Sequence, residues 1–265
     1  MKIAGEAGLA PQIRDENAQE RILITDFVES KQFPDDFAPL IARTLRKLHS
    51  LAHFPKVASY FDTADDQIRQ FRAAGLLPEN ETDELFRRYA DIIKVYPQND
   101  TDHVACHIDL KPQNILFDGN RVWLVDWEAA RLDDRYVDLA VAANFFVRDE
   151  ADEENYLREY FGESAGEYRR SRFYLMRQAV HVANATLFLL WAAESGMRID
   201  ADQEAPDFRD FHQRIVSGEV DLATNEAKLQ YGRVHMNETL RNMRTQQFED
   251  AMARVADFHA GTSAP

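Results

Sequence analysis

His107-Ile108-Asp109-Leu110-Lys111-Pro112-Gln113-Asn114-Ile115-Leu116-Phe117-Asp118-Gly119-Asn120-Arg121-Val122-Trp123-Leu124-Val125-Asp126 is unlike the rest of this chain. Two short apolar runs, Ile115-Leu116-Phe117 and Val122-Trp123-Leu124-Val125, flank Asp118-Gly119-Asn120. Gly and Asn tolerate positive φ, so the pattern predicts a tight β-hairpin. Paired strands lie about 4.8 Å apart, and the hairpin therefore returns Asp126 beside Asn114. Ahead of it, the apolar Val104-Ala105-Cys106 leads into His107.

Asp109, Asn114 and Asp126 are the oxygen-bearing side chains that this arrangement gathers. Phosphoryl transfer needs such a set. Nucleotide phosphates must be neutralised, and Mg²⁺ prefers a few hard oxygen ligands plus water. A separate carboxylate must orient the acceptor hydroxyl and take its proton. Asp109 is the candidate base, and Asn114 and Asp126 are candidate Mg²⁺ ligands. Lys111 is either a contact to the transferred phosphate or a solvated loop lysine. His107 reads as a structural imidazole bonded to backbone rather than as an acid–base group. Cys106 is the only cysteine; it excludes an intrachain disulfide and reads as a packed thiol. Trp127 and Glu128 offer a cation–π face and a carboxylate to an amine substrate, with Trp127 equally readable as core. Asp133 and Asp134 read as a solvated turn.

The segment resembles the aminoglycoside phosphotransferase and choline/ethanolamine kinase family, whose members share the protein-kinase fold. The family's H-x-D-x-x-x-x-N falls on His107, Asp109 and Asn114, and its metal-binding aspartate after a short hairpin falls on Asp126. A later D-L-A, whose aspartate braces the catalytic loop in the family, falls on Asp138-Leu139-Ala140. Val125-Asp126-Trp127-Glu128 followed by D-L-A is similar to the small-molecule kinases. Protein kinases carry D-F-G and then A-P-E, and neither occurs after Asp126. The resemblance covers at least residues 20–147. It implies an α+β, protein-kinase-like fold, ATP as co-substrate, Mg²⁺, and a small cationic acceptor of the choline, ethanolamine or aminoglycoside type.

At the front, Met1 to Pro11 reads as a helix end followed by a turn, and Ile22 to Val28 as a strand. In the family such a strand enters the hinge, so Asp26, Phe27 and Val28 are expected to offer backbone groups to adenine. The family's glycine-rich hairpin, strand lysine and helix glutamate do not appear. There is no G-x-G-x-x-G, and the only lysine before position 31 is Lys2. The expected organisation is 1–28 as the last part of a small N-lobe, 29–260 as a helical C-lobe and 261–265 as a disordered tail. The C-lobe would hold catalytic loop 107–114 and metal-binding hairpin 115–126. Two functions follow: an ATP-dependent small-molecule kinase whose turnover is weakened in this short form, or a catalytically silent, pseudokinase-like binding module.

Elsewhere the pattern is helical. Asp35 and Asp36 are expected to start a helix carrying Phe37, Leu40, Ile41, Leu45 and Leu48 on one face. Helices are expected at 64–74 and 81–96, and from Arg135 to about Phe258. The apolar run Ala179 to Ala193 is too short to cross a bilayer and reads as a buried helix. The formal net charge of −15 argues against nucleic acid or an anionic membrane as partner and suits a cationic small substrate. With no apolar leader at Met1 to Pro11, a cytoplasmic location is expected.

Overall fold

The computed structural model describes residues 1–52, 54–97, 102–196 and 205–262. In chain order it contains α1 (Lys2–Glu6), β1 (Ile13–Asn17), β2 (Ile22–Thr25), α2 (Ala38–Leu48), α3 (Tyr60–Ala74), α4 (Glu79–Val95), β3 (His103–Cys106), β4 (Ile115–Phe117), β5 (Val122–Leu124), β6 (Arg131–Asp134), α5 (Arg135–Phe146), α6 (Glu150–Phe161), α7 (Glu167–Glu194), α8 (Phe208–Val216), α9 (Asn225–Met243) and α10 (Gln246–Thr262). This is an α+β fold whose described strands pair two by two: β1 with β2, β3 with β6, β4 with β5, all antiparallel. The chain forms two compact units, residues 1–59 with 99–166, and 60–98 with 167–265.

The first unit contains the segment His107 to Asp126. The expected hairpin forms, with Ile115 opposite Leu124 and Phe117 opposite Val122. Gly119 turns it at φ +96°. Asn120 needs no positive φ, because Asp118 Oδ1 accepts from the N–H groups of Asn120 (2.8 Å) and Arg121 (2.9 Å), a local side-chain turn. The strand expected at Ile22 to Val28 ends at Thr25. Asp26 N–H donates to Gln12 O (2.9 Å) and its carboxylate is held by Arg14 at 2.5 and 2.9 Å. Phe27 and Val28 lie beyond the β1 ladder, and Phe27 is 91% exposed. The helix expected to start at Asp35 or Asp36 begins at Ala38 with no side-chain cap. Its entry is fixed instead by Pro39 in the first turn and by Phe37 stacked on Phe33 (4.1 Å) and against Phe146 (5.5 Å).

Asp133 and Asp134 are not in a solvated turn. They are buried in β6, opposite Val104 and His103 of β3. Burial is tolerated because each carboxylate has donors. Asp133 takes Arg131 Nε (2.8 Å) and the Asp134 N–H (2.9 Å), and Asp134 caps α5 through the Tyr136 N–H (2.9 Å).

In the second unit α7 spans the apolar run at 179–193 and packs against α3, α4, α9 and α10. At Gly232 of α9 a Cβ would meet Leu189 Cγ at 2.6 Å, so only glycine permits this approach. Between these helices His181 and His235 share a hydrogen bond, Nδ1 to Nδ1, at 2.8 Å, and His212 Nε2 meets the Tyr231 hydroxyl at 2.7 Å. Burial holds all three imidazoles below their ordinary range, His212 down to about 3. Of the tail expected at 261–265, Gly261 and Thr262 belong to α10. The ladder of α10 carries through Thr262, with no proline to stop it before Pro265; 263–265 lie outside the described residues. No described helix is long and apolar enough to cross a membrane.

Candidate functional site

Two consecutive backbone amides set the loop. Asp138, fully buried in the first turn of α5, accepts the N–H of His107 on Oδ2 (2.8 Å) and of Ile108 on Oδ1 (2.7 Å). Ile108 sits at φ +75°, an outlier for a β-branched residue that persists only where surrounding contacts over-determine it. The residue it precedes is Asp109. His107 is buried, and its Nε2–H donates to Val125 O (2.9 Å). Burial lowers its pKa despite the nearby carboxylates, so the ring is neutral near pH 7 and ties the loop to the end of β5. Trp127 packs on that imidazole at 4.6 Å and donates its indole N–H to Leu124 O (2.9 Å).

The loop then presents Asp109 asymmetrically. Its Oδ2 accepts from Lys111 Nζ (2.5 Å) and Asn114 Nδ2 (2.8 Å), and Asn114 Nδ2 also donates to Asp109 O (2.9 Å). Among the described residues no protein group bonds Asp109 Oδ1. A 3-10 turn, Pro112–Asn114, closed by Asn114 N–H to Lys111 O (2.9 Å), brings the amide back over the carboxylate. Asn114 O in turn accepts the Val125 N–H (3.0 Å), so the hairpin does return Asp126 to the neighbourhood of Asn114. Asp126 is exposed, at φ +64°, without a hydrogen bond or ion pair to a described residue. With Asn114 Nδ2 turned inward on Asp109, its Oδ1 is the atom left to bind. One amide oxygen and one unpaired carboxylate fit the few hard protein ligands that Mg²⁺ takes alongside water.

Of the residues expected at the hinge, Phe27 and Val28 border a recess. It measures ≈ 360 Å³ and is also lined by Glu29, Lys31, Asp118, Asn120 and Trp123. Asp26 does not line it; its N–H and carboxylate are engaged by Gln12 and Arg14. Glu128 is exposed and stands outside the hydrogen-bonded set of the loop. Cys106 is the expected packed thiol, its pKa raised by burial, with its S–H against Asp133 O (3.4 Å) and Asp134 O (3.6 Å). One partner escaped the sequence reading. His49, which ends α2, places Nε2 at 3.1 Å from Asp138 Oδ2. A polar residue closing an apolar helix face is its only trace in the sequence.

Comparison with solved structures finds proteins of similar fold. A choline/ethanolamine kinase family protein from Mesorhizobium loti superposes with a TM-score of 0.73 at 22% identity, over 96% of this chain and 80% of that one. An ethanolamine kinase from Plasmodium vivax gives 0.60 at 16% identity, over 94% and 71%. The choline kinase LicA from Streptococcus pneumoniae gives 0.56 at 18%, over 84% and 77%. At these identities the likeness establishes the fold. Compared with curated proteins, the sequence has no match. Residues 10–174, however, match the pattern of the phosphotransferase enzyme family. That span is more than half of the sequence and includes the loop, the hairpin and the Asp138 brace. This chain therefore belongs to the phosphotransferase enzyme family.

Proposed function

We propose that the protein transfers the γ-phosphoryl group of ATP to the hydroxyl of a small, amine-bearing acceptor of the choline, ethanolamine or aminoglycoside type. The asymmetry of Asp109 carries this reading. Lys111 and Asn114 fix Oδ2, so the carboxylate cannot turn away, and Oδ1 is left to orient a hydroxyl and accept its proton as the new O–P bond forms. Lys111 acts in this reading as the counter-charge that holds Asp109. Asn114 and Asp126 would hold Mg²⁺, which when bound neutralises phosphate charge. Phe27 and Val28 would meet the base in the recess beside Trp123, with residues 1–28 as the hinge-proximal part of the small lobe. LicA, one of the similar folds, has been solved with AMP. The net charge of −15 and the unpaired carboxylate of Glu128 favour a cationic acceptor, to which Trp127 would offer a cation–π contact. ATP as co-substrate implies a cytoplasmic location.

A second reading, a silent binding module, is favoured by the lack of a glycine-rich hairpin and strand lysine within these 265 residues. Turnover with Mg-ATP on choline, ethanolamine and an aminoglycoside separates the two. Transfer by the wild type and its loss in Asp109→Asn, with the fold retained, supports the kinase. Unchanged turnover in Asp109→Asn removes Asp109 from its role. A wild type that neither turns over nor binds Mg-ATP in calorimetry is the silent module.

A further inference from the structure

α3 and α4 pair within the second unit, joined by a turn that holds Gly75 at φ +59° and Pro78. Phe71 meets Phe86 edge-on (5.7 Å), and the Tyr89 hydroxyl donates to Asp65 (3.1 Å), so the two helices run antiparallel. Between them lies a recess of ≈ 480 Å³. Asp65, Ile68, Arg69 and Arg72 line it from α3, and Asp83, Phe86, Arg87, Ala90 and Ile93 from α4. Both sets recur at spacings of three and four, so each is one face of its helix. Ala90, exposed midway along its stripe, is too short to fill the space, and Ile68 and Phe86 form a buried floor.

The chain carries 46 acidic residues against 31 lysines and arginines, so an exposed arginine finds an acid readily. Arg43 pairs with Glu159, Arg148 with Asp152, Arg244 with Glu84 and Arg254 with Glu167. In the recess Arg69 pairs with Asp66. Arg72 and Arg87 do not follow this pattern. Both are exposed, and among the described residues neither has an ion pair, although Asp83 lines the same recess one turn before Arg87. Arg72 lies over the face of Phe86 at 4.9 Å, which leaves the N–H groups at its rim for an acceptor. At the opposite end Asp65 is engaged by Tyr89. The cationic end is therefore that of Arg72 and Arg87, about 9 Å from Ile93 along α4 at the helical rise per residue.

An apolar floor with two unpaired guanidinium groups at one end suits a ligand with the same division. The volume falls within the range of small-molecule sites, which are mostly apolar with a few placed polar groups. A neutral apolar ligand would leave both guanidinium groups without an acceptor, and a bare inorganic anion would leave Ile68 and Phe86 wet. A carboxylate on an apolar chain answers both, through charge-assisted hydrogen bonds at the head and burial of the chain on the floor. We infer that the α3–α4 recess binds a small amphipathic carboxylate, its chain on Ile68, Phe86 and Ala90 and its head between Arg72 and Arg87. None of these residues belongs to the catalytic loop or the hairpin, so the inference stands apart from the phosphotransferase reading.

Octanoate is the probe, titrated into the full chain by calorimetry at low ionic strength, with amide NMR shifts reporting where it binds. Octylamine and octanol carry the same chain with a cationic and a neutral head, and inorganic phosphate carries charge without the chain. Octanoate should bind about fivefold or more tighter than octanol, shift amides of α3 and α4, and weaken as salt is added. Arg72→Gln and Arg87→Gln should each weaken it about three- to tenfold. Asp83→Asn removes the one like charge beside the head and should tighten binding about two- to fivefold, an effect that damage to the fold would not produce. Ala90→Leu fills the recess and should abolish binding. All four side chains are exposed, and circular dichroism checks that each variant keeps its helices. No binding of octanoate, equal binding of octylamine, octanol or phosphate, shifts confined to other helices, or wild-type affinity in both Arg87→Gln and Ala90→Leu overturns the inference.

Discussion

Asp138→Asn should destabilise the protein by about 2–4 kcal/mol, by summing losses at a single carboxylate. Asp138 accepts His107 N–H, Ile108 N–H and His49 Nε2–H, one oxygen carrying two of them. Asparagine matches its shape but presents one oxygen and one NH₂. Whichever way the amide turns, at least one buried N–H faces another donor, which costs about 1–3 kcal/mol. The remaining bonds go from a charged to a neutral acceptor and weaken by about 1 kcal/mol in total. Two terms oppose this. Removing a buried charge relieves some desolvation, and a loop that relaxes recovers part of the roughly 1–3 kcal/mol held in a residue at positive φ. Both reduce the loss and draw the expected value toward the lower end of the range. Urea denaturation of wild type and variant gives the difference, and the fluorescence of Trp127, packed on His107, reports whether the loop has moved. A difference below about 1 kcal/mol, with unchanged fluorescence and turnover, would refute the brace.

Asp109→Asn should lower turnover by on the order of 10²–10⁴-fold with an unchanged urea midpoint, because the side chain is half-exposed and its loss leaves no buried charge unpaired. Asparagine tolerates the left-handed conformation that Asp126 adopts, so Asp126→Asn should keep the fold and lose metal-dependent nucleotide binding in calorimetry; an unchanged Mg²⁺ dependence would exclude it as ligand. Gly232→Ala should cost about 1–3 kcal/mol through overpacking against Leu189, read as a lower thermal midpoint. His181, His212 and His235 take up protons more readily unfolded than folded, so stability should be full above about pH 6.5 and fall as pH drops from there toward about 3, by about 1.4 kcal/mol per unit for each histidine. Denaturation midpoints between pH 7.5 and 5 test this, and a flat profile would show that the cluster is not buried neutral.

What could be read in the sequence was whatever is local. The β4–β5 hairpin announces itself through Asp118-Gly119-Asn120 between two apolar runs, and α2 through the spacing of Ile41, Leu45 and Leu48. What escaped is settled by partners distant in the chain. Arg131-Leu132-Asp133-Asp134 looks like a turn because its charges are visible, while its strand partner, His103 to Cys106, and the donors that satisfy its carboxylates are not. Arg14 to Asn17 is polar enough to read as loop and becomes a strand only against Ile22 to Thr25. The start of α2 passed from Asp35 to Ala38 because aromatic packing, not capping, fixes it. His49 belongs to the same class, since a histidine at a helix end acquires meaning only when Asp138 is brought to it.

The same distinction says where the site is vulnerable. Positive φ values bound the segment, at Ile108 just before Asp109, the candidate base, and at Asp126, the metal-ligand candidate. Neither residue is glycine, so local preference opposes both conformations. They are held by bonds from outside the loop's own neighbours: Asp138 to the two amides, His107 to Val125 O, and Asn114 O to the Val125 N–H. By contrast the turn at 118–121 is closed by Asp118 itself and by glycine, a self-contained device. Changes at Asn120 should therefore leave the catalytic geometry alone, while a change at His107, which touches no reacting atom, should disturb Asp109 and Asp126 together. The motif supplies the chemical groups, and a hydrogen-bond network reaching into α2 and α5 supplies their alignment.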